Sequence, residues 1–362
     1  MPSPHTPLAV TAHTDADYQR LGLARRDIKP WEDGARTDGR PGGYEWWYFD
    51  AHLVDGTKMV VIFMTKDLST PQVPLTPTIR INFDLPDGRS LQKIATFDAG
   101  TWSAATDHAD VRIGENHFTG DLHTYRISAS VDDLSVEIEL VGEVSAWRPE
   151  TGYMLFGADR QLEFCWLPSV PKGHVKAKFS VGTENHQSTG SGYHDHNWGN
   201  VGIMAIINDW YWGRGQAGPY TAIASYITAN EKYDYTPITV FMLAKDGNLI
   251  ADDTSLVTFE TLGTYTDSIT KKPVANITRY TYVQGDERYV VTFSRHHDLV
   301  QSKMVDGLHG IKRVAAELTR FDGAYQRFTG EFRVEHYRGA EIIDQSATED
   351  AIWELMYFGH AR

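Results

Sequence analysis

The sequence predicts an all-β protein of sandwich or barrel type, long enough for two such units, and three observations predict it. Over 362 residues, apolar and aromatic positions gather in short alternating or continuous runs. Asp-Gly pairs at Asp55-Gly56, Asp87-Gly88, Asp246-Gly247 and Asp322-Gly323 punctuate those runs as hairpin turns do. Aromatic residues reach 12%, with 10 Trp, 18 Tyr and 15 Phe, and aromatic and β-branched residues favour strands.

Taken in order, residues 1–43 are polar and rich in proline and glycine, which predicts an irregular lead-in. A helix is expected over 15–25, where Tyr18, Leu21 and Leu23 fall near one another. Strands are then expected at 49–53 and 59–64 around the first turn, at 79–85 and 90–94 around the second, and at 238–244 before the third. Further strands are expected at 125–129, 136–141, 221–228, 278–283, 289–294, 328–336 and 351–358. Residues 311–321 place Ile311, Val314, Ala315 and Leu318 at helical spacing but also admit a strand. The glycine-rich stretch 213–219 suggests a seam, giving β domains over 44–214 and 215–362 after the lead-in. Strand–turn–strand patterns in both halves hint at duplication, although generic hairpin chemistry explains them equally well.

Composition narrows the partners. Lys plus Arg total 34 against 48 Asp plus Glu, a net charge of −14, and no basic cluster resembles the footprint of a nucleic-acid binder. Cys165 is the single cysteine, so no intrachain disulfide forms; it reads as a small packed hydrophobe. The N-terminus lacks the basic and apolar regions of a secretory signal, and no window approaches ~18 consecutive apolar residues, so a cytoplasmic protein without a membrane span is expected.

Three segments concentrate unusual chemistry. In Gly43-Tyr-Glu-Trp-Trp-Tyr-Phe-Asp50, strand alternation puts Glu45, Trp47 and Phe49 on one face and Tyr44, Trp46, Tyr48 and Asp50 on the other. The segment reads either as a buried central strand or as the wall of an aromatic pocket. In Gly190-Ser-Gly-Tyr-His-Asp-His-Asn-Trp-Gly199, Tyr193, Asp195 and Asn197 share one face while His194, His196 and Trp198 share the other. Two imidazoles ~7 Å apart on a strand form half a metal site, but no spacing supplies a third ligand, and no metal is expected. An Asp195 in a dry cavity would instead stay protonated near neutral pH and act as a general acid; a polar turn capped by Asp195 and Asn197 is the plainer alternative. In Asn208-Asp-Trp-Tyr-Trp-Gly-Arg214, Trp210, Trp212 and Arg214 align, indole faces that suit a cation beside a guanidinium that suits a carboxylate. The run 351–358 sets Trp353, Leu355 and Tyr357 against Glu354 and Met356, as a closing strand near the middle of a barrel would.

Other matches carry no function. Gly213-Arg-Gly-Gln-Ala-Gly218 fits G-x-G-x-x-G but leads into Pro219-Tyr220 and a β-rich segment, so no dinucleotide site is expected. Asn276-Ile277-Thr278 is a glycosylation sequon without meaning in a cytoplasmic chain. The sequence contains no G-x-S-x-G, H-E-x-x-H or P-loop.

The four ordered segments Tyr44–Asp50, Gly192–Gly199, Trp210–Arg214 and Trp353–Tyr357 together resemble the carotenoid 1,2-hydratase (hydroxyneurosporene synthase) superfamily, its AttH-like and kievitone-hydratase branch above all, over residues 40–360. The resemblance implies two lipocalin-like antiparallel β-barrel domains and no organic cofactor. It places the family's Tyr-x-Asp-x-Asn-x-Gly pattern on Tyr193, Asp195, Asn197 and Gly199, and its Trp-x-Trp-x-Arg pattern on Trp210, Trp212 and Arg214. Activities in the superfamily include hydration of prenyl or carotenoid alkenes, cyclisation of prenylated phenols and Diels–Alder cyclisation.

The expected chemistry is proton delivery to an alkene of a prenylated or terpenoid small molecule through a tertiary carbocation. Asp195 or Glu45 would supply the proton, with Tyr193 in the same motif, and His194 or His196 would orient water. Trp46, Trp47, Asn197, Trp198, Trp210, Trp212, Arg214, Trp353 and Glu354 would bind the substrate. A pericyclase that only shapes its substrate, and a non-catalytic carrier, remain the alternatives.

Overall fold

The computed structural model describes residues 8–67, 71–304 and 322–361, and it is an antiparallel β-protein whose single α-helix among the described residues is Asp15–Leu21. That helix is shorter than expected because its ends are fixed locally. Thr14 and Asp17 form a reciprocal capping box, and Gly22 stops the helix at φ +69°. No helix among the described residues is long and apolar enough to cross a membrane.

The chain divides into two compact units. One comprises Thr11–Leu155 and Asp159–Gly202; the other runs from Ile203 onward and includes Phe156–Ala158 and the segment ending at Val10. The expected break at 214/215 falls inside the strand Ile207–Ala217, which pairs with Tyr220–Ala229 from Ala217↔Tyr220 to Ile207↔Ala229. The glycines there are not a linker. A Cβ on Gly213 would sit 2.8 Å from the Phe293 ring and one on Gly215 2.2 Å from Phe332, so both admit aromatic packing, and only Gly218, at φ +54°, turns the chain.

Both units share the wiring of their main strand path. In the first, strands lie in the order Ser90–Thr96, Thr78–Asp84, Lys58–Met64, Tyr44–Leu53, Glu184–Gly199, Leu162–Val181, Leu134–Val144, Thr124–Val131, Asn116–Gly120, Ala109–Ile113, Trp102–Ala104. In the second the order is Asn248–Ala251, Pro237–Lys245, Tyr220–Ala229, Ile207–Ala217, Glu341–Tyr357, Ala324–Arg338, Glu287–Lys303, Ile277–Gln284, Val257–Leu262. Each of these paths thus joins its opening strand to its last strand near its centre. Its two outermost strands are consecutive in the chain, linked through the 3-10 turns Ala99–Thr101 and Thr254–Leu256. This is the curled, lipocalin-like antiparallel architecture that the sequence predicts, and all the strands expected within the described residues are present. Residues 311–321 lie outside the described residues.

Each curl is filled by side chains. Trp47, Phe49, Val61, Phe63, Ile81, Phe83, Phe118 and Tyr125 belong to the core of the first unit, and Phe241, Tyr280, Phe293, Phe328, Phe332 and Trp353 to that of the second. The lead-in is more ordered than its composition suggests, because Glu32 and Asp33 are buried and Glu32 pairs with buried Arg148 at 2.8 Å.

Candidate active site

The central strand pair of the first unit is registered by Glu45↔Trp198, Trp46↔Asn197, Trp47↔His196, Tyr48↔Asp195, Phe49↔His194 and Asp50↔Tyr193. Opposed residues share a face, so the pair sorts its motif residues into two groups that point in opposite directions. Glu45, Trp47, Phe49, His194, His196 and Trp198 lie on one face; Trp46, Tyr48, Asp50, Tyr193, Asp195 and Asn197 lie on the other.

On the second of these faces Asp195 is 7% exposed and enclosed by neutral donors. Its Oδ2 accepts the Trp166 indole N–H at 2.8 Å and the Tyr193 hydroxyl at 2.7 Å, while Oδ1 accepts the Asn197 amide at 2.8 Å. Burial pushes this carboxyl up to about 6; the Tyr193 and Trp166 hydrogen bonds and the charge of His194 oppose the rise, and Asp50 reinforces it. With both acceptor positions of Oδ2 taken, the acid proton belongs on Oδ1, beside Asn197. Tyr48 donates to Asp50 at 3.2 Å, and its ring meets Tyr193 edge-on at 6.3 Å, so half-buried Trp46 and Tyr48 give this face an electron-rich surface beside the acid.

The opposite face holds a buried charge network. The Glu45 carboxylate receives the backbone N–H of Arg36 at 2.6 Å, the backbone N–H and hydroxyl of Thr37 at 2.9 Å each, and His196 Nε2 at 2.8 Å. Asp33, from the lead-in, meets His194 Nε2 at 3.1 Å and accepts the Tyr125 hydroxyl; His196 Nδ1 lies 3.4 Å from its other oxygen. Burial pushes Asp33 upward, but the charge and hydrogen bond of His194, the charge of His196 and the Tyr125 hydroxyl outweigh it and hold the carboxyl below its usual value. Trp47 stacks on His196 at 4.4 Å and donates its indole N–H to the Asp33 carbonyl at 3.0 Å.

The expected site residues therefore divide. Asp195, Tyr193, Asn197 and Trp46 are together. Glu45, His194, His196 and Trp47 are fully buried on the far side of the sheet, and Trp198 packs there with Cys165 and Leu167, so none of these five shares a surface with Asp195. In the second unit the Trp210 indole donates to Glu354 at 3.2 Å, and burial pushes that carboxyl up against the Trp210 and Tyr325 hydrogen bonds and the charge of Arg327. Trp212 stands opposite Glu354, and Arg214 opposite Ile352, in half-buried positions on that face, whereas Trp353 turns into the core at 2% exposure. Sequence reasoning missed Trp166, Asp33 and Tyr125. Trp166 pairs with Asn197 across the sheet, a register beyond an irregularity at 167–170 that no local pattern announces. No group of three or more His, Cys, Asp or Glu side chains among the described residues is arranged to hold a metal ion.

The sequence profile of the Diels-Alderase-like family matches residues 40–272. Among curated relatives, the quinolone epoxide rearrangement protein of Penicillium thymicola is 32% identical over 199 residues, 50% of this chain and 54% of its own length. That of Emericella nidulans is 23% identical over 206 residues, covering 53% and 56%. Hydroxyneurosporene dehydrogenase of Chlorobaculum tepidum is 28% identical over 222 residues, covering 48% and 54%, in keeping with the carotenoid-hydratase resemblance. The chain thus spans about half the length of the curated relatives it matches. Solved structures share the fold: CghA at a TM-score of 0.60 and 13% identity, covering 98% of this chain and 99% of that one, and kievitone hydratase from Nectria haematococca at 0.53 and 13%, covering 98% of each.

Proposed function

This chain belongs to the Diels-Alderase-like family, and on that premise we propose that it is a cofactor-independent enzyme of secondary metabolism, a hydratase or proton-initiated cyclase, in which Asp195 delivers a proton to a hydrophobic small molecule. The proton goes to an alkene carbon of a prenylated or terpenoid substrate. The same acid serves an epoxide oxygen, the group named in the Penicillium and Emericella relatives. The observation that carries the reading is the Asp195 carboxyl, dry, poised at about 6 and fixed by three neutral donors.

Proton transfer leaves a tertiary carbocation and an Asp195 carboxylate. The Trp166, Tyr193 and Asn197 donors are already oriented to receive that negative charge, so they strengthen as it forms. The rings of Trp46 and Tyr48 offer π-faces to the cation. Water, or a hydroxyl of the substrate, then closes the reaction as hydration or cyclisation, and Asp195 recovers a proton from the attacking oxygen.

The family match favours a second reading, in which Asp195 only donates a hydrogen bond and the ring forms pericyclically. Heavy water separates the two. With prenylated phenols and quinolone epoxides as trial substrates, the acid mechanism on an alkene places one solvent deuterium on the carbon that becomes saturated. From an alkene substrate, cyclised product without carbon-bound deuterium, seen by mass spectrometry, decides for the pericyclase, whereas an epoxide takes its proton on oxygen and carries no such label by either route; ligand returned unchanged decides for a carrier.

A further inference from the structure

His194 lies beside Asp195 in the chain but on the other face of the strand, sealed at 0% exposure, with both ring nitrogens against acceptors. Nδ1 is 2.8 Å from the Tyr48 backbone carbonyl, and Nε2 is 3.1 Å from Asp33 Oδ2. A backbone carbonyl only accepts, and Asp33 Oδ2, which already takes the Tyr125 hydroxyl, stands as an acceptor to the other nitrogen, so the ring satisfies both contacts only when both nitrogens carry protons. His196 stands between Glu45 and Asp33 in the same enclosure, so two imidazoles face two carboxylates and the pocket can be neutral overall. Phe118 and Tyr125 close over the His194 ring at 4.8 and 4.4 Å, with the Tyr125 hydroxyl directed to Asp33.

We propose that His194 is a positioning residue for the acid: a buried imidazolium, fixed by Asp33 and Tyr48, whose charge acts through the strand to set the acid strength of Asp195. The inference rests on Asp195 being the acid. The groups that face Asp195 directly are Tyr193 on its own strand, Trp166 and Asn197, and Tyr48 and Asp50 on the opening strand. None of these is a cation, and burial, reinforced by Asp50, raises the carboxyl. A positive charge behind the strand offsets it. Tyr48 links the two sides, its carbonyl fixing His194 while its ring stands on the Asp195 face.

Aspartate-13Cγ labelling of the 362-residue chain, with Asp195→Asn to assign the signal, gives the Asp195 titration midpoint without a substrate. His194→Gln removes the positive charge and is expected to move that midpoint upward by about 0.3–1.3 pH units, the span for one charge across a strand as the effective dielectric runs from about 80 to about 20. A merely structural histidine would lower stability and leave the midpoint in place. An unchanged or lowered midpoint in a variant with native near-UV circular dichroism overturns the proposal. Should His194→Gln not fold, the ring nitrogens decide. A His194 with two protonated nitrogens at neutral pH in the wild type, losing one in Asp33→Asn, supports the proposal; a neutral wild-type ring overturns it. Turnover retained by Asp195→Asn defeats the proposed function, whereas a fixed midpoint alongside an inactive Asp195→Asn defeats this inference alone.

Discussion

On one face of the strand pair Tyr44–Leu53 and Glu184–Gly199, Asp33 and Glu45 lie against His194 and His196; on the other, Asp195 lies against an indole, a phenol and an amide. All three carboxyls are buried, at 1%, 0% and 7% exposure, so burial does not distinguish them. The partners do. The charge and hydrogen bond of His194, with the charge of His196, hold Asp33 below its usual value, while neutral donors only partly offset the desolvation of Asp195 and leave it near 6. One side of the sheet is a closed electrostatic clasp on the lead-in, and the other holds a carboxyl raised to about 6.

Substitutions on each face and a pH series test this contrast. The largest effect is expected from Asp195→Asn, which keeps the shape and removes the proton: turnover falls by about 10²–10⁴-fold while ligand affinity stays within about tenfold, as steady-state kinetics and equilibrium titration will read. Glu45→Gln acts on the other side. Its carboxylate receives four donors, two at each oxygen, whereas an amide accepts at one oxygen and presents its own N–H groups to donors at the other. A loss of about 3–5 kcal/mol in urea unfolding is expected; unaltered stability would show that the clasp holds nothing.

A third test uses pH. Asp195 rises from 3.8 in the unfolded chain to about 6 in the folded one, so the native state binds the proton more tightly. This contribution is fully present below about pH 4 and is lost as pH rises through about 6. It amounts to about 2 kcal/mol between pH 4 and 7, read as the change in stability difference between wild type and Asp195→Asn over that range. A flat difference would contradict the assignment. The smallest effect is expected from Trp166→Phe, which deletes a donor that favours the charged form. The pH above which activity declines should rise by about 0.5–1 unit, the equivalent of one hydrogen bond.

The two units make a parallel comparison. With the opening and closing strands paired alike, each carries a carboxyl on its closing strand, off the core face, with an indole donating to it: Asp195 with Trp166, and Glu354 with Trp210. The indole comes from the preceding strand in one unit and from the opening strand in the other, so equivalent wiring reaches similar contacts by different residues.

Much of this was legible in the chain itself. The Asp-Gly turns at 55–56, 87–88 and 246–247 and the period-2 aromatic runs specify their hairpins, because turn chemistry and side-chain alternation are local, whereas Asp322-Gly323 forms no turn and leads straight into Ala324–Arg338. The same alternation already separated Tyr193, Asp195 and Asn197 from His194, His196 and Trp198. Tertiary structure alone decided which side each group would take and what would meet it there. Nothing near Asp33 in sequence marks it as the partner of histidines 161 and more residues away, and nothing near Trp166 marks it as a donor to Asp195 across a register irregularity. It also set Glu45 against Arg36, Thr37 and His196 on the face away from Asp195, since a strand gives its two faces equal claim to carboxylates and only the packing of distant segments supplies their partners.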